Sequence, residues 1–246
     1  MEKLLDLEAK AVRLHGRKPG RGDYVICCGD LIGADPAVVK PKDKAAVAYK
    51  IASRQRRQKK THLERRKPFF REDFEFLDWV KRRPYTLLST FGNHDPRTLV
   101  EKLAIGESIV GGSPVIDLGG NLSYLIDSNV YDIPAGDGRI VSICPFGGAI
   151  GHITSLMGQA DSPVFEDAYY HSWLPLPSRH IDAVISHECP YGKSGMLKIY
   201  RRNCISTALD KVEQELYYDR WICGHHHIDL EPSDGVSCLY NRILVL

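Results

Sequence analysis

Tyr85-Thr-Leu-Leu-Ser-Thr90, followed by Phe91-Gly92-Asn93-His94-Asp95, is an apolar β-type run that ends in a loop of metal-ligand residue types. Three further segments repeat this layout. Tyr24-Val-Ile-Cys-Cys28 leads to Gly29-Asp30, Ala183-Val-Ile185 to Ser186-His187, and Trp221-Ile-Cys223 to Gly224-His225-His226-His227. Polar ligand residues placed repeatedly at the ends of buried strands gather site chemistry on one rim of a sheet.

Working outward, residues 71–82 read as a helix that buries Phe74, Leu77 and Trp79-Val80 and feeds the 85–90 strand. Residues 2–15 read as another, with Leu4, Leu7, Ala11 and Leu14 on one face, broken by Gly16 to Gly22. Good helix formers fill 42–64. From 113 to 145 the pattern alternates with period two, as Ser113–Leu118, Leu122–Ile126, Asn129–Ile133 and Arg139–Cys144. Asp127-Ser-Asn129 and Gly136-Asp-Gly138 supply the turns of antiparallel hairpins. Strands return at 182–186 and 219–223 around a helix near 206–217, and the tail alternates as a hairpin, Gly235–Tyr240 and Arg242–Leu246. Strand–helix units flanking a hairpin block predict a layered α/β protein.

At 246 residues and 43% apolar, the chain can bury the core of one large domain spanning 1–246. A formal charge of +2 excludes strong overall attraction to nucleic acid or anionic membrane. No run approaches about 18 apolar residues, so no membrane span is expected. The seven cysteines form no C-x-x-C pair, and several lie inside apolar strands as small hydrophobes. That usage and the lack of a signal peptide point to a reducing cytoplasm.

Phosphate ester hydrolysis needs a nucleophilic oxygen, charge neutralisation on phosphorus and a stabilised leaving oxygen. Two metal ions about 3.5–4 Å apart supply all three. Asp30 is the natural bridging carboxylate, Asn93 offers a neutral oxygen, and His187, His225 and His227 offer nitrogens that suit Mn, Fe, Zn or Ni. His94 is placed to reach substrate and protonate the leaving group. Each piece alone has an ordinary explanation: a turn, a loop, a satisfied strand-end histidine, a surface cluster. All four together, in this order and each after a strand, make a strong signal.

The chain resembles the calcineurin-like metallophosphoesterases, whose pattern is D-x-H, G-D, G-N-H-D/E, H, then G-H-x-H. Gly29-Asp30, Gly92-Asn93-His94-Asp95, His187 and Gly224-His225-His226-His227 match the last four blocks. The resemblance covers nearly the whole chain and implies a four-layer α/β/β/α sandwich with the site at its strand ends. It implies that Asp30 bridges two divalent ions, that Asn93, His187 and His225 hold the second ion and His227 the first, and that His94 acts on substrate. It further implies hydrolysis of phosphomono- or phosphodiesters by a metal-activated water. Phe146-Gly147-Gly148-Ala149 and Leu239-Tyr240-Asn241-Arg242-Ile243 resemble a bacterial and phage-associated branch. The Ser/Thr phosphatase branch carries Asp-Arg-Gly after Gly-Asp, which Gly29-Asp30-Leu31-Ile32-Gly33 lacks.

One departure stands out. The D-x-H-G block should end a strand just ahead of the 2–15 helix, and nothing precedes that helix here. Leu14-His15-Gly16 does not substitute, since it closes the helix, where His15 interacts favourably with the dipole. The first strand is therefore expected to be missing and the first metal to bind weakly, through Asp30 and His227 alone. Met1 is then an internal methionine of a longer protein, or the gene is truncated. A third explanation is a protein that naturally works with one metal, or with none, as a degenerate, non-catalytic member that binds a phosphorylated or nucleic-acid partner. The first is favoured for the gene.

Arg54, Arg56, Arg57, Lys59, Lys60, Arg65, Arg66 and Lys67 form a basic run within a helical insertion at about 37–69. It offers nucleic-acid contact, but no aromatic interleaves for stacking, which favours a solvated helix end. The expected substrate is a phosphorylated small molecule or nucleotide. Arg97 is a candidate for binding its phosphate, or caps the loop, and Asp35 or Asp95 is a candidate to orient His94, or caps a turn. His152 and His171 read as structural or surface residues. No second base organises Cys189 and His187 into a thiol dyad.

Overall fold

The computed structural model describes residues 2–31, 71–95, 97–148, 163–199, 202–231, 235–240, 244 and 246. The expected helix at 42–64, the basic run 54–67, Asp35, His152 and nearly all of the second tail strand lie outside these residues.

Among the described residues, ten strands form two five-stranded sheets. The first sheet contains β1 (Tyr24–Cys27), β2 (Thr86–Ser89), β3 (Gly106–Val110), β4 (Ser113–Asp117) and β5 (Leu122–Leu125), in the order β1-β2-β5-β4-β3. The second contains β6 (Tyr131–Pro134), β7 (Ile140–Phe146), β8 (Ile181–Ser186), β9 (Tyr218–Cys223) and β10 (Val236–Cys238), in the order β10-β9-β8-β7-β6. The helices are α1 (Glu2–His15), α2 (Arg71–Lys81), α3 (Arg97–Leu103), α4 (Pro163–Ser172), the short α5 (Tyr191–Ser194) and α6 (Cys204–Glu215).

Three apolar clusters define the layers. Leu88, Val115 and Leu125 of the first sheet meet Ile143, Ala183, Ile185 and Ile222 of the second, filling the space between the sheets. Leu77, Val80 and Val100 of α2 and α3 pack on Leu87, Leu122 and Tyr124 on the outer face of the first sheet. Ile205, Ala208, Leu209 and Val212 of α6 pack on Cys144, Val184 and Trp221 on the outer face of the second. The order helix, sheet, sheet, helix is the sandwich expected. Five of the seven cysteines are buried in that last cluster, and all seven are free thiols.

The hairpin block divides differently from the expectation. Gly136-Asp-Gly138 does join the antiparallel pair β6 and β7. Asp127-Ser-Asn129 instead carries the chain from β5 in one sheet to β6 in the other. Ser128 takes the left-handed conformation there (φ 58°), and its N–H bonds Pro145 O in the second sheet. The tail strand β10 pairs parallel with β9. Of the expected apolar face of α1, Ala11 is buried and Leu14 is 60% exposed, while the side chains of Leu4 and Leu7 lie outside the description. Buried Glu8 fastens this helix instead, facing Tyr85 Oη at 3.4 Å and Arg83 at 3.6 Å.

β1 pairs with β2, β2 with β5, and β7, β8, β9 and β10 with one another, all parallel. The carboxyl ends of β1, β2, β8 and β9 therefore open on one rim, where the four polar loops meet.

Candidate metal centre

The loop after β1 turns sharply, with Gly29 at φ 90° and Asp30 at φ 56°. A left-handed carboxylate residue is uncommon and costs about 1 kcal/mol or more, so it must be held by its surroundings. Asp95 does this. Its Oδ2 accepts from the backbone N–H of Asp30 (2.8 Å) and of Gly92 (2.7 Å), and its Oδ1 accepts from buried Tyr124 (3.0 Å). Asp95 thus ties the β1 and β2 loops together. The two loops touch so closely that a Cβ on Gly92 would sit 2.1 Å from Asp30 Oδ1.

His187 lies at the end of β8 and is 1% exposed. Trp221 Nε1 donates to Ser186 Oγ (2.7 Å), which donates to Glu188 O (2.6 Å), fixing the turn around it. The Nδ1–H of His187 donates to Cys28 O at 2.6 Å, which turns Nε2 toward the site. There Nε2 meets Asn93 Oδ1 at 3.0 Å and Asp30 Oδ2 at 3.3 Å. With Nδ1 carrying a proton, a neutral ring offers a lone pair at Nε2, so three electron-pair donors converge on one point. Such a convergence needs a cation or a proton at its centre. A ligand nitrogen of His225 completes the cluster, with Asp30, His187 and His225 all within 4.8 Å of one another. A carboxylate, an amide oxygen and two imidazoles are a donor set suited to a divalent transition metal.

The electrostatics agree. Burial, the largest influence, works against charge on Asp30, but its hydrogen bonds and charge interactions with His187 and His94 together hold the carboxyl below its ordinary value. Burial pulls His187 down, and Asp30 more than reverses it, leaving the imidazole above its ordinary value. Burial lowers His225 and keeps it neutral, the form that binds metal.

His94 sits beside this cluster. Its N–H donates to Asp30 Oδ1 (2.7 Å), while its Nε2 stands 3.9 Å from Asp30 Oδ2 on a partly exposed side chain. His227 is exposed and stacks on Tyr240, with ring centroids 4.7 Å apart. Arg97 lies at the start of α3, bonded to Asp127 (2.9 Å) and placed over the Phe91 ring (4.4 Å). Asp127 also accepts from Gly147 N, and Gly148 N donates to Phe91 O, so Phe146-Gly147-Gly148 braces the β2 loop. His171 is exposed near the end of α4, and His15 ends α1.

Sequence reasoning passed over Glu188. It is 2% exposed, with Oε1 2.6 Å from His226 Nε2 and Oε2 2.9 Å from Asn203 Nδ2. Burial would raise its carboxyl, yet His226 and His225 overcome this and hold it below its ordinary value. An acidic residue directly after a strand-end histidine was the available signal. A second His–carboxylate group, His180, Asp182 and Asp219, lies at the opposite ends of β8 and β9, where Asp219 is 62% exposed and already pairs with His180.

A layered α/β sandwich with this donor set on its rim defines a metal-dependent phosphoesterase class. The sequence profile of the family described as calcineurin-like phosphoesterase matches residues 3–229, and the chain belongs to that family. No curated protein matches the chain. Among the described residues, no helix is long and apolar enough to cross a membrane.

Proposed function

We propose that this chain hydrolyses phosphomono- or phosphodiesters of a small molecule or nucleotide, using divalent metal held by Asp30, Asn93, His187 and His225. The observation that carries this is the convergence of His187 Nε2, Asn93 Oδ1 and Asp30 Oδ2 on one point. Mn²⁺, Fe²⁺, Zn²⁺ or Ni²⁺ bound there supplies charge neutralisation and an activated water. The protein's own part is to hold the cage rigid and deliver a proton. Cys28 O fixes the His187 tautomer, and Asp95 clamps the two loops. His94 keeps its backbone on Asp30 and its partly exposed ring beside the cluster, from where it donates to the leaving oxygen. Arg97 gives the substrate phosphate a positive wall next to this rim, steadied by Asp127 and Phe91.

Of the ligands expected for a first metal, Asp30 lies in the cluster and His227 stacks on Tyr240. Among the described residues β1 pairs on one side only. Its neighbourhood includes a cavity of about 440 Å³ lined by Ile26, Cys28, Ile143, Ile185, Ile222 and Leu239. His227's position also favours the second reading, a non-catalytic binder of a phosphorylated partner. Nucleic-acid contact through 54–67 rests on the charge run alone, and the seven free thiols support a cytoplasmic setting.

Hydrolysis of bis-p-nitrophenyl phosphate with Mn²⁺, by the chain and by His94→Ala, separates the two readings. A large loss in the variant supports catalysis. Equal rates at background exclude it for this polypeptide.

A further inference from the structure

The His225-His226-His227 turn is built against the grain of its backbone. His225 (φ 62°) and His227 (φ 55°) are both left-handed, a conformation that non-glycine residues adopt only when their surroundings enforce it. Backbone bonds hold its root: Gly224 N donates to His187 O (3.1 Å), and Leu239 N to Cys223 O (2.9 Å). At the tip His226 N donates to Gly224 O (2.7 Å), and the mostly buried His226 ring brings its Nε2 to 2.6 Å from Glu188 Oε1.

Glu188 is itself immobile. Its Oε1 accepts from Cys189 N (3.0 Å) and its Oε2 from Asn203 Nδ2 (2.9 Å). Asn203 caps α6: its Oδ1 accepts from Ile205 N and Ser206 N, while Ser206 Oγ accepts from Asn203 N. This capping box is buried, so the helix terminus forms a fixed platform. From that platform Glu188 Oε1 stands 2.6 Å from His226 Nε2, an ion-pair contact outside hydrogen-bond geometry, and Oε2 faces His225 Nε2 at 3.8 Å. A buried carboxylate beside a ligating imidazole fixes the ring and strengthens it as a donor.

We propose that Glu188 is a positioning residue for the metal centre, bracing His226 so that the left-handed turn holds His225 toward the rim. This rests on the metal-binding reading above. His226, the unassigned middle residue of the turn, is then the handle by which α6 holds it.

The test compares the full chain with Glu188→Gln, His226→Gln and the double variant. Mn²⁺ affinity is read by calorimetry, Co²⁺ coordination by visible absorption, and the unfolding midpoint in EDTA is measured separately. Each single variant should bind Mn²⁺ about 10–100-fold more weakly with an altered Co²⁺ spectrum. The double variant should lose no more than either alone, because both break one link. A lower unfolding midpoint with unchanged Mn²⁺ affinity and Co²⁺ spectrum overturns the clamp and leaves Glu188 a purely structural residue. Additive losses overturn it as well. If Glu188→Gln does not fold, His226→Gln decides alone, by the same loss or its absence. A parent chain that takes up neither Mn²⁺ nor Co²⁺ overturns both the clamp and the reading beneath it, whereas a binding parent with unaffected variants sinks the clamp only.

Discussion

The carbonyl oxygen of Cys28 lies 2.6 Å from Nδ1 of His187, joining the end of β1 in one sheet to the end of β8 in the other. This bond sets the ring nitrogen that faces Asp30 and Asn93. His187→Ala should therefore abolish detectable Mn²⁺ binding at the site. Loss of supporting residues alone costs about 10–100-fold, and loss of the ligand must exceed that. Calorimetric titration checks it; retained affinity would place the metal elsewhere.

Gly92→Ala should be far more damaging than an ordinary loop substitution. The added Cβ would meet Asp30 Oδ1 at 2.1 Å and Asp30 N at 2.4 Å, so the carboxylate must move. The expected outcome is about 1–3 kcal/mol of lost stability from overpacking, together with weakened metal binding. Urea unfolding and the same titration read the two effects.

Tyr124→Phe removes one buried bond to the Asp95 carboxylate and should cost about 1.5–3 kcal/mol. Asp95→Ala should cost more, since the N–H groups of Asp30 and Gly92 both lose their acceptor. If the two variants prove equally stable, Asp95 does not staple the loops.

Metal affinity should rise with pH. His187 sits above its ordinary value in the metal-free chain, and a metal must displace that proton. Apparent affinity should climb by up to about tenfold per pH unit and level off beyond the raised pKa. The metal-free fold follows the opposite course on the histidine side. Its stabilisation is fully present below the unfolded value of 6.5 and is lost as pH rises through the raised value. On the aspartate side it is present above 3.8 and lost as pH falls through the lowered value of Asp30. Calorimetry between about pH 6 and 8 measures the first trend, and a flat profile would rule it out.

The rim was legible in the sequence because buried parallel strands leave a local signature: an apolar run, then a break into Gly-Asp, Gly-Asn-His-Asp, Ser-His or Gly-His-His-His. Residues at such breaks must face the strand ends, and Asp30, Asn93, His187 and His225 do. The duties of Asp95 and Glu188 were not legible. Asp95 acts on backbone groups 65 and 3 residues away, and Glu188 on His226 and Asn203, pairings that exist only once the sheets are stacked. The crossing at Asp127-Ser-Asn129 was hidden for a related reason. A turn between alternating strands reads the same whether it closes a hairpin or changes sheet, and only Ser128's bond to Pro145 decides it. Of α1's expected face, Leu14 proved exposed, since spacing describes a stripe but not what covers it.

The most direct test of the metal centre is an anomalous difference map from a crystal of the chain soaked in Zn²⁺. The account predicts a peak coordinated by Asp30, Asn93, His187 and His225, with zinc–ligand distances of about 2.0–2.2 Å. A map with density only at His180, Asp182 and Asp219, or with none on the rim, would contradict it.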